Sequence, residues 1–233
     1  MGQHYGSKIP RNGLVAYYDA ANPKSYPGSG STWFDLSGNS LHMTMIGTLT
    51  HSSSYFEGFA DTANYFECSI SEWPTFVPTG NQSRTICALA RKGNASAYQH
   101  IVHWGTATVG RSYGLASYSE NFSDHRWSTS NIDSSPTMSF PVGEDVFASV
   151  RYHDSLYPGA RFSKNTEFLT ETDIVSDLNT GTDTFRIGSR ISTATETWDG
   201  AGGRIYMVAI YNRTLSDEEI LQVYQAMKGR VGL

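Results

Sequence analysis

The sequence predicts an all-β protein that ends in one short helix, and three observations support this. Hydroxyl and aromatic side chains are abundant: the 233 residues include 29 Ser, 22 Thr and 14 Tyr, whereas only 17% of the residues are charged. Thr and Tyr suit a pleated surface, while helix-rich proteins carry more Glu, Lys and Arg. Short apolar or alternating runs recur between Gly, Pro, Asn and Ser, and one helix start is legible near the C-terminus. Such a pattern favours a sandwich or barrel of many short strands.

Nine of these runs have the length of a strand. In 146–152, alternation places the apolar residues on one face, which predicts a half-buried strand. The runs 14–18 and 204–212 are apolar on both sides, so we expect them to be covered on both faces and to lie together in the middle of a sheet. The nine runs are 13–20, 65–70, 84–91, 99–104, 113–118, 146–152, 160–163, 184–188 and 204–212.

The helix is predicted over 216–228. Ser216 can accept a hydrogen bond from the amide of Glu219, whose side chain can reach back, which is the capping-box pattern. Apolar residues then recur at helical spacing until Gly229, a common C-terminal stop. We expect the apolar stripe of this helix to cover the core as a structural lid.

The domain organisation is predicted to be simple. All-β domains often reach roughly 200 to 250 residues, so we expect one domain over 1–233, with 1–12 as a flexible or partner-binding arm. Segments 23–31 and 130–143 are predicted loops, and both are too short to serve as interdomain linkers.

Charge and hydropathy exclude two classes of partner. The formal net charge is -5 and the basic residues are scattered, so no nucleic-acid footprint is present. The N-terminus lacks a signal-peptide pattern and no run of 18 apolar residues occurs, so neither standard secretion nor membrane insertion is expected. Cys68 and Cys87 lie in strand-like contexts and are expected to stay free in a reducing compartment, with a bridge between adjacent strands as the alternative.

Three segments together resemble a known family. They are 13–26 followed by Thr-Trp-Phe-Asp-Leu-Ser-Gly-Asn at 32–39, the run 184–188, and 203–220, which includes Arg-Ile-Tyr-Met-Val-Ala-Ile-Tyr. In this order they are similar to laminin-G-like, concanavalin A-like domains, particularly those in virion proteins of tailed phages. The resemblance implies a jelly-roll sandwich of two antiparallel sheets with the N- and C-terminal strands adjacent.

Enzymatic sites are poorly represented. Hydrolases of the resembled fold carry carboxylates in the pattern Glu-x-Asp-x-x-Glu, because acid and nucleophile flank the glycosidic bond. Here Glu171 and Asp173 match, but Ser176 occupies the third position, which disfavours hydrolysis. His100 and His103 are three apart on a predicted strand, so they are expected on opposite faces and not as joint metal ligands.

Loop residues supply the candidate ligand contacts. Aromatic rings with neighbouring polar groups can stack on sugars, and the carbohydrate-binding candidates are Trp127, Tyr157, Trp198 and Asp199. Related domains can hold Ca²⁺ with loop carboxylates, and no other cofactor is expected. The calcium candidates are Asp35, Asp61 and Asp199, although Asp in such turns more often caps its own backbone.

The leading hypothesis is a non-catalytic virion structural protein of a tailed phage, as a capsid decoration, neck or tail fibre component. Its lectin-like domain would bind host-surface glycan, and its other partners would be virion proteins and further copies of itself. It would be made in the host cytoplasm and displayed on the virion surface. The alternatives are a ligand-free oligomerising cement module and a glycoside hydrolase.

Overall fold

The computed structural model of the chain contains sixteen strands, one α-helix and a final 3₁₀ helix in the part that it describes. It describes residues 8–59, 63–69, 74–95, 98–108, 110–119, 121–125, 138–153, 159–169, 172–173, 178–191, 198 and 202–233. The elements are β1 (Leu14–Asp19), β2 (Thr32–Trp33), β3 (Met43–Ile46), β4 (Thr50–Ser52), β5 (Tyr55–Glu57), β6 (Tyr65–Ser69), β7 (Arg84–Arg91), β8 (Tyr98–Gly105), β9 (Ser112–Tyr118), β10 (Asn121–His125), β11 (Asp145–Tyr152), β12 (Gly159–Lys164), β13 (Glu167–Phe168), β14 (Thr172–Asp173), β15 (Thr184–Ile187), β16 (Arg204–Tyr211), α1 (Asp217–Met227) and the 3₁₀ helix Lys228–Arg230.

The strands form two antiparallel sheets. Sheet A has the order β13-β12-β11-β7-β16-β5-β4, with β1 also paired to β16 and β14 to β12. Sheet B has the order β10-β9-β8-β15-β6-β3-β2. The expected all-β sandwich with one short C-terminal helix is therefore confirmed. No helix in the described ranges has the length and apolar character needed to cross a membrane.

The first and last strands lie side by side, as predicted. In the β1–β16 pair, Leu14 lies opposite Tyr211 and Tyr18 opposite Val208, while β7 pairs with the other edge of β16. Every residue of β1 is buried, and so is every residue of β16 after Arg204. The two-sided apolar pattern therefore marked strands that are covered on both faces.

Aromatic rings fill the core between the sheets. The fully buried Trp33 lies with its ring centroid 5.5 Å from that of Tyr18, 4.8 Å from Phe56 and 5.0 Å from Phe66. These rings come from β1, β2, β5 and β6, so they join both sheets. Tilted and edge-to-face rings at these distances add to the stabilisation from burial.

A second core lies on the outer face of sheet A, beneath α1. The helix buries Ile220, Val223, Tyr224 and Met227. These side chains belong to one apolar cluster with residues of β1, β7, β11 and β16. Both hydrogen bonds of the capping box are formed: the Ser216 side chain accepts from the Glu219 amide, and the Glu219 side chain accepts from the Ser216 amide. The helix therefore acts as the expected lid, and the apolar residues that it covers lie on the outer face of sheet A.

Two expectations need correction. Strand β11 is buried on both faces, not on one, because Phe147 joins the cluster under α1 and Arg151 pairs with Asp217 at 2.6 Å. Residues 8–12 were expected to form an arm, but Ile9 is only 6% exposed and the Pro10 carbonyl accepts a hydrogen bond from Tyr211 Oη. Residues 1–7 lie outside the described part.

The two cysteines are free and lie on different sheets. Cys68 faces the core between the sheets, whereas Cys87 faces the helix side of sheet A. Burial raises the pKa of the Cys68 thiol to about 11, with nearby Asp35 and Glu67 adding to the shift. Burial also raises the pKa of Cys87 well above its ordinary value. The alternative of a bridge between adjacent strands does not fit this placement.

The capping box predicts a measurable contribution to stability. Ser216→Ala removes the acceptor for the Glu219 amide, so we expect the free energy of unfolding to fall by about 0.5–2 kcal/mol. Urea titration followed by circular dichroism measures this. Gln225→Ala, on the exposed side of the same helix, is the control and should cause no loss. Equal stability of the wild type and Ser216→Ala would contradict the assignment.

Thiol chemistry provides a second check. Because both thiols are buried and their pKa values are raised, few thiolates form near pH 8 and reagents reach them poorly. We expect slow reaction of the native protein with an aromatic disulfide reagent, and rapid reaction of two thiols per chain in urea. Fast modification of Cys87 before unfolding would show that α1 does not cover it.

Candidate functional site

The outer faces of the two sheets differ. On sheet A, α1 covers the apolar part of that face, while Glu57 and Arg204 at the β5 side remain partly exposed. On sheet B, Phe66 and Phe185 point into the core, so their strand neighbours Tyr65, Glu67 and Arg186 point outward and are partly exposed. The part of the outer face of sheet B that is formed by β2, β3, β6 and β15 is thus accessible.

Strand register aligns polar residues into one row across this face. Thr32 pairs with Thr44, Thr44 with Glu67, and Glu67 with Arg186. The row continues through β8 and β9. Directly opposite residues on one face are neighbours that interact. The row consists of Thr32, Thr44, Glu67, Arg186, His103 and Gly114.

Arg186 organises the centre of the row. Its Nε donates to Glu67 Oε2 at 2.7 Å, and one terminal nitrogen donates to the Arg190 carbonyl at 2.8 Å. Its guanidinium carbon lies 4.4 Å from the centroid of the Tyr65 ring, a cation–π distance. The side chains of Arg186 and Glu67 retain 18% and 22% exposure. A fixed ring, cation and carboxylate are therefore presented together.

An exposed aromatic ring lies at the β2–β3 edge of the same face. Trp33 and Met43 point into the core, so Phe34 and His42 lie on the outer side. Their ring centroids are 5.2 Å apart in an edge-to-face arrangement, and Phe34 is 37% exposed. The Asp35 amide donates to His42 Nδ1 at 3.1 Å, which fixes the imidazole. Phe34 thus offers an apolar surface beside polar neighbours.

His100 and His103 share one face, contrary to expectation. The register of β8 against β9 shifts between His100 and Val102, and this β-bulge turns both histidines the same way. Their ring centroids are 5.1 Å apart, both side chains are fully buried, and His103 Nδ1 accepts from the Ile191 amide at 3.2 Å. Within the described ranges, no cluster of three or more metal-ligating side chains occurs. The pair forms a buried support at one end of the row.

Trp198, a candidate for sugar stacking, is a core residue. It is 1% exposed, and its Nε1 donates to the carbonyls of Arg91 at 2.9 Å and Arg204 at 3.2 Å. Its ring centroid lies 5.3 Å from that of Phe140. A ring enclosed in this way cannot stack on a sugar, so the expected role is wrong. The other carbohydrate candidates, Trp127, Tyr157 and Asp199, lie outside the described residues.

Asp35, a calcium candidate, holds its own loop together. Its Oδ1 accepts from the amides of Tyr17 at 2.9 Å and Ser37 at 2.8 Å. Its Oδ2 accepts from the Ser37 hydroxyl at 2.6 Å and the Leu41 amide at 3.3 Å. Both oxygens are thus used within the protein, which is the turn-capping role. Asp61 and Asp199, the other calcium candidates, and Glu171 of the carboxylate pattern lie outside the described residues.

Sequence patterns did not predict Phe34, Tyr65, Glu67 or Arg186 as site residues. Alternation around Phe66 and Cys68 does carry a signal, because it places Tyr65 and Glu67 on the opposite face. That Arg186 and Phe34 share this face follows only from the pairing of distant strands. Tyr65, Glu67 and Arg186 lie on strands, so they are not among the loop residues that the sequence marks as candidates.

Neither a protein-family model nor a curated protein matches the chain. Solved structures do match. Trypanosoma rangeli sialidase in complex with sialic acid aligns with a TM-score of 0.68 and 14% identity over 96% of this chain and 34% of that one. The binding domain of botulinum neurotoxin DC in complex with rat synaptotagmin II aligns with a TM-score of 0.66 and 10% identity, over 93% and 52%. Botulinum neurotoxin type C depends on interaction with two ganglioside molecules to enter cells. It aligns with a TM-score of 0.66 and 11% identity over 93% of this chain and 52% of that one.

This chain therefore spans 34% of the sialidase and 52% of the toxin chains that it matches. At 10–14% identity the likeness lies in the fold. These structures agree with the β-sandwich fold described above.

Asp35 generates a testable prediction. Asp35→Ala leaves three buried or half-buried backbone amides without their acceptor, so we expect a loss of about 1–3 kcal/mol in the free energy of unfolding. Thermal unfolding in EDTA and in calcium chloride should show the same loss. If calcium raises the melting temperature of the wild type but not that of Asp35→Asn, Asp35 is a calcium ligand and the turn-capping account is incomplete.

Proposed function

We propose that the protein is a non-catalytic, lectin-like module that binds glycan on the outer face of sheet B. The observation that carries this proposal is the position of the exposed Phe34 ring on the same face as the Glu67–Arg186 pair. Sheet A also carries a ring, a cation and a carboxylate on its outer face, at Tyr55, Arg204 and Glu57. That group lies beside the cluster that α1 covers, and among the described residues Phe34 is the aromatic side chain that is exposed.

The chemistry of this face suits a sugar. A pyranose has an apolar C–H face that stacks on aromatic rings, and hydroxyls that both donate and accept. Phe34 supplies the ring, Arg186 donates and Glu67 accepts. The hydroxyls of Thr32 and Thr44 make no hydrogen bond within the described part of the chain and lie between these groups in the row. The Arg186 guanidinium also suits the carboxylate of an acidic sugar.

The structural neighbours support this choice. The sialidase structure contains sialic acid, and the type C toxin interacts with gangliosides. The DC toxin domain binds a protein, so the fold also accommodates protein partners. Sugar recognition by this chain is argued from its own outer face, and the neighbours add that the fold is compatible with it.

We also propose that the protein acts on the virion surface of a tailed phage, together with other virion proteins and as a homo-oligomer. The support is the resemblance of 13–39, 184–188 and 203–220 to domains of such proteins. Mass spectrometry of purified particles, with light scattering of the isolated chain, tests both parts. If the chain is a monomer and is absent from particles, the proposed virion location and oligomeric state are wrong. The glycan-binding proposal would be unaffected.

The proposal predicts glycan binding that depends on Phe34. Loss of a stacked ring costs about 0.5–1.5 kcal/mol, so Phe34→Ala should weaken binding about 2- to 12-fold on an array of acidic and neutral glycans. Val142→Ala is the matched control, because Val142 is also exposed, at 41%, but is absent from the row. Arg186→Lys keeps the charge and should weaken binding of acidic glycans most.

Three results would contradict the proposal. If the protein binds no host glycan on the array, the cement module is favoured. If Phe34→Ala binds glycans as strongly as the wild type does, the binding site does not include Phe34. Release of reducing sugar that Glu171→Gln abolishes would favour the hydrolase.

A further inference from the structure

An uncharged cleft lies at one end of sheet A, away from the row on sheet B. It encloses about 260 Å³ between the turn after β6 and the ends of β7 and β16. Pockets for drug-sized ligands hold roughly 300–1,000 Å³, so this volume suits a single small ring. The cleft is lined by Thr75, Phe76, Gln82, Ser83 and Asn212.

The orientation of the Gln82 amide is fixed by its own turn. Gln82 Oε1 accepts a hydrogen bond from the backbone N–H of Thr79 at 2.8 Å. The backbone N–H of Gln82 donates to the Thr79 carbonyl at 3.1 Å. A flipped side chain would place Nε2 against the Thr79 N–H, so the oxygen must occupy this position. Nε2 makes no hydrogen bond within the described residues and remains as a donor in the cleft.

The buried Arg84 holds this turn in place. Its guanidinium donates to the carbonyls of Gln82 at 2.7 Å and Gly80 at 2.9 Å, and to Thr180 Oγ1 at 2.7 Å. Its Cζ lies 5.0 Å from the centroid of the Tyr113 ring. A fully buried cation with these contacts anchors the turn that carries Gln82.

Asn212, another residue that lines the cleft, provides an acceptor. Its Nδ2 donates to the Phe76 carbonyl at 3.3 Å, which leaves Oδ1 as the acceptor. Its backbone amide donates to the Gly13 carbonyl at 2.9 Å. Gly13 has a φ of +74°, and a Cβ there would lie 2.9 Å from Oδ1, so glycine permits this close approach. Two residues that line the cleft thus hold a donor, Gln82 Nε2, and an acceptor, Asn212 Oδ1, in fixed orientations.

We propose that this cleft binds one neutral pyranose unit. Neighbouring sugar hydroxyls can accept from Gln82 Nε2 and donate to Asn212 Oδ1, while Phe76 contacts the apolar side of the ring. None of the five lining residues carries a charge, so a phosphate or carboxylate would find no counter-ion among them. This inference rests on the proposed glycan-binding function and adds a second, uncharged subsite to it.

The test is an NMR titration of the full chain with glucose, galactose, mannose and N-acetylglucosamine, and with sialic acid as the charged comparison. At least one neutral sugar should shift the side-chain NH₂ signals of Gln82 and Asn212 saturably, and sialic acid should not. Gln82→Glu keeps the acceptor for the Thr79 amide but removes the donor, so it should raise the Kd about fivefold or more. Phe34→Ala should leave this titration unchanged.

The outcomes separate the two proposals. If no neutral sugar shifts these signals, or if Gln82→Glu binds as the wild type does, the cleft is not a sugar site, whatever the array shows. If the cleft signals shift while the array shows no Phe34-dependent binding, the cleft subsite stands and the sheet B proposal fails. Stronger shifts with sialic acid than with neutral sugars would overturn the assignment to an uncharged ligand.

Discussion

The architecture depends on the need to cover β16 on both faces. Nearly all of its side chains are apolar and buried, and leaving either face in water would forfeit roughly 1.5–3 kcal/mol for each large side chain. One face meets the core between the sheets, and the other is met by α1 and by residues near Ile9. This arrangement explains why the helix lies on sheet A and not on sheet B.

The predictable parts of the fold have local signals. The apolar run of β16, the alternation in β11 and the capping box at Ser216 can all be recognised within about ten residues. Each located its element correctly, although alternation did not show that β11 is buried on both faces. Strands β2, β4 and β5 have only two or three residues each, so their existence depends on partners distant in sequence. Short strands of this kind leave no periodicity to detect.

The candidate site was hard to predict for a related reason. Alternation tells which residues share a face, but a single β-bulge near Ile101 reversed the inference for His100 and His103. Trp198 stands beside Asp199 and Gly200, a turn-like context, yet its N–H satisfies two carbonyls in the core. Conversely, Phe34 follows a buried Trp and gives no local hint of its exposure. Surface position at these residues is set by tertiary pairing.

The contacts of the chain's two described ends have an implication for how the domain can be held. Gln222 Nε2 donates to the Lys8 carbonyl, and Val231 and Leu233 pack at the margin of the cluster beneath α1. Lys8, Val231 and Leu233 therefore lie on the layer opposite the Phe34 face. An immobilisation tag attached after Leu233 would leave the Phe34 face directed away from the support.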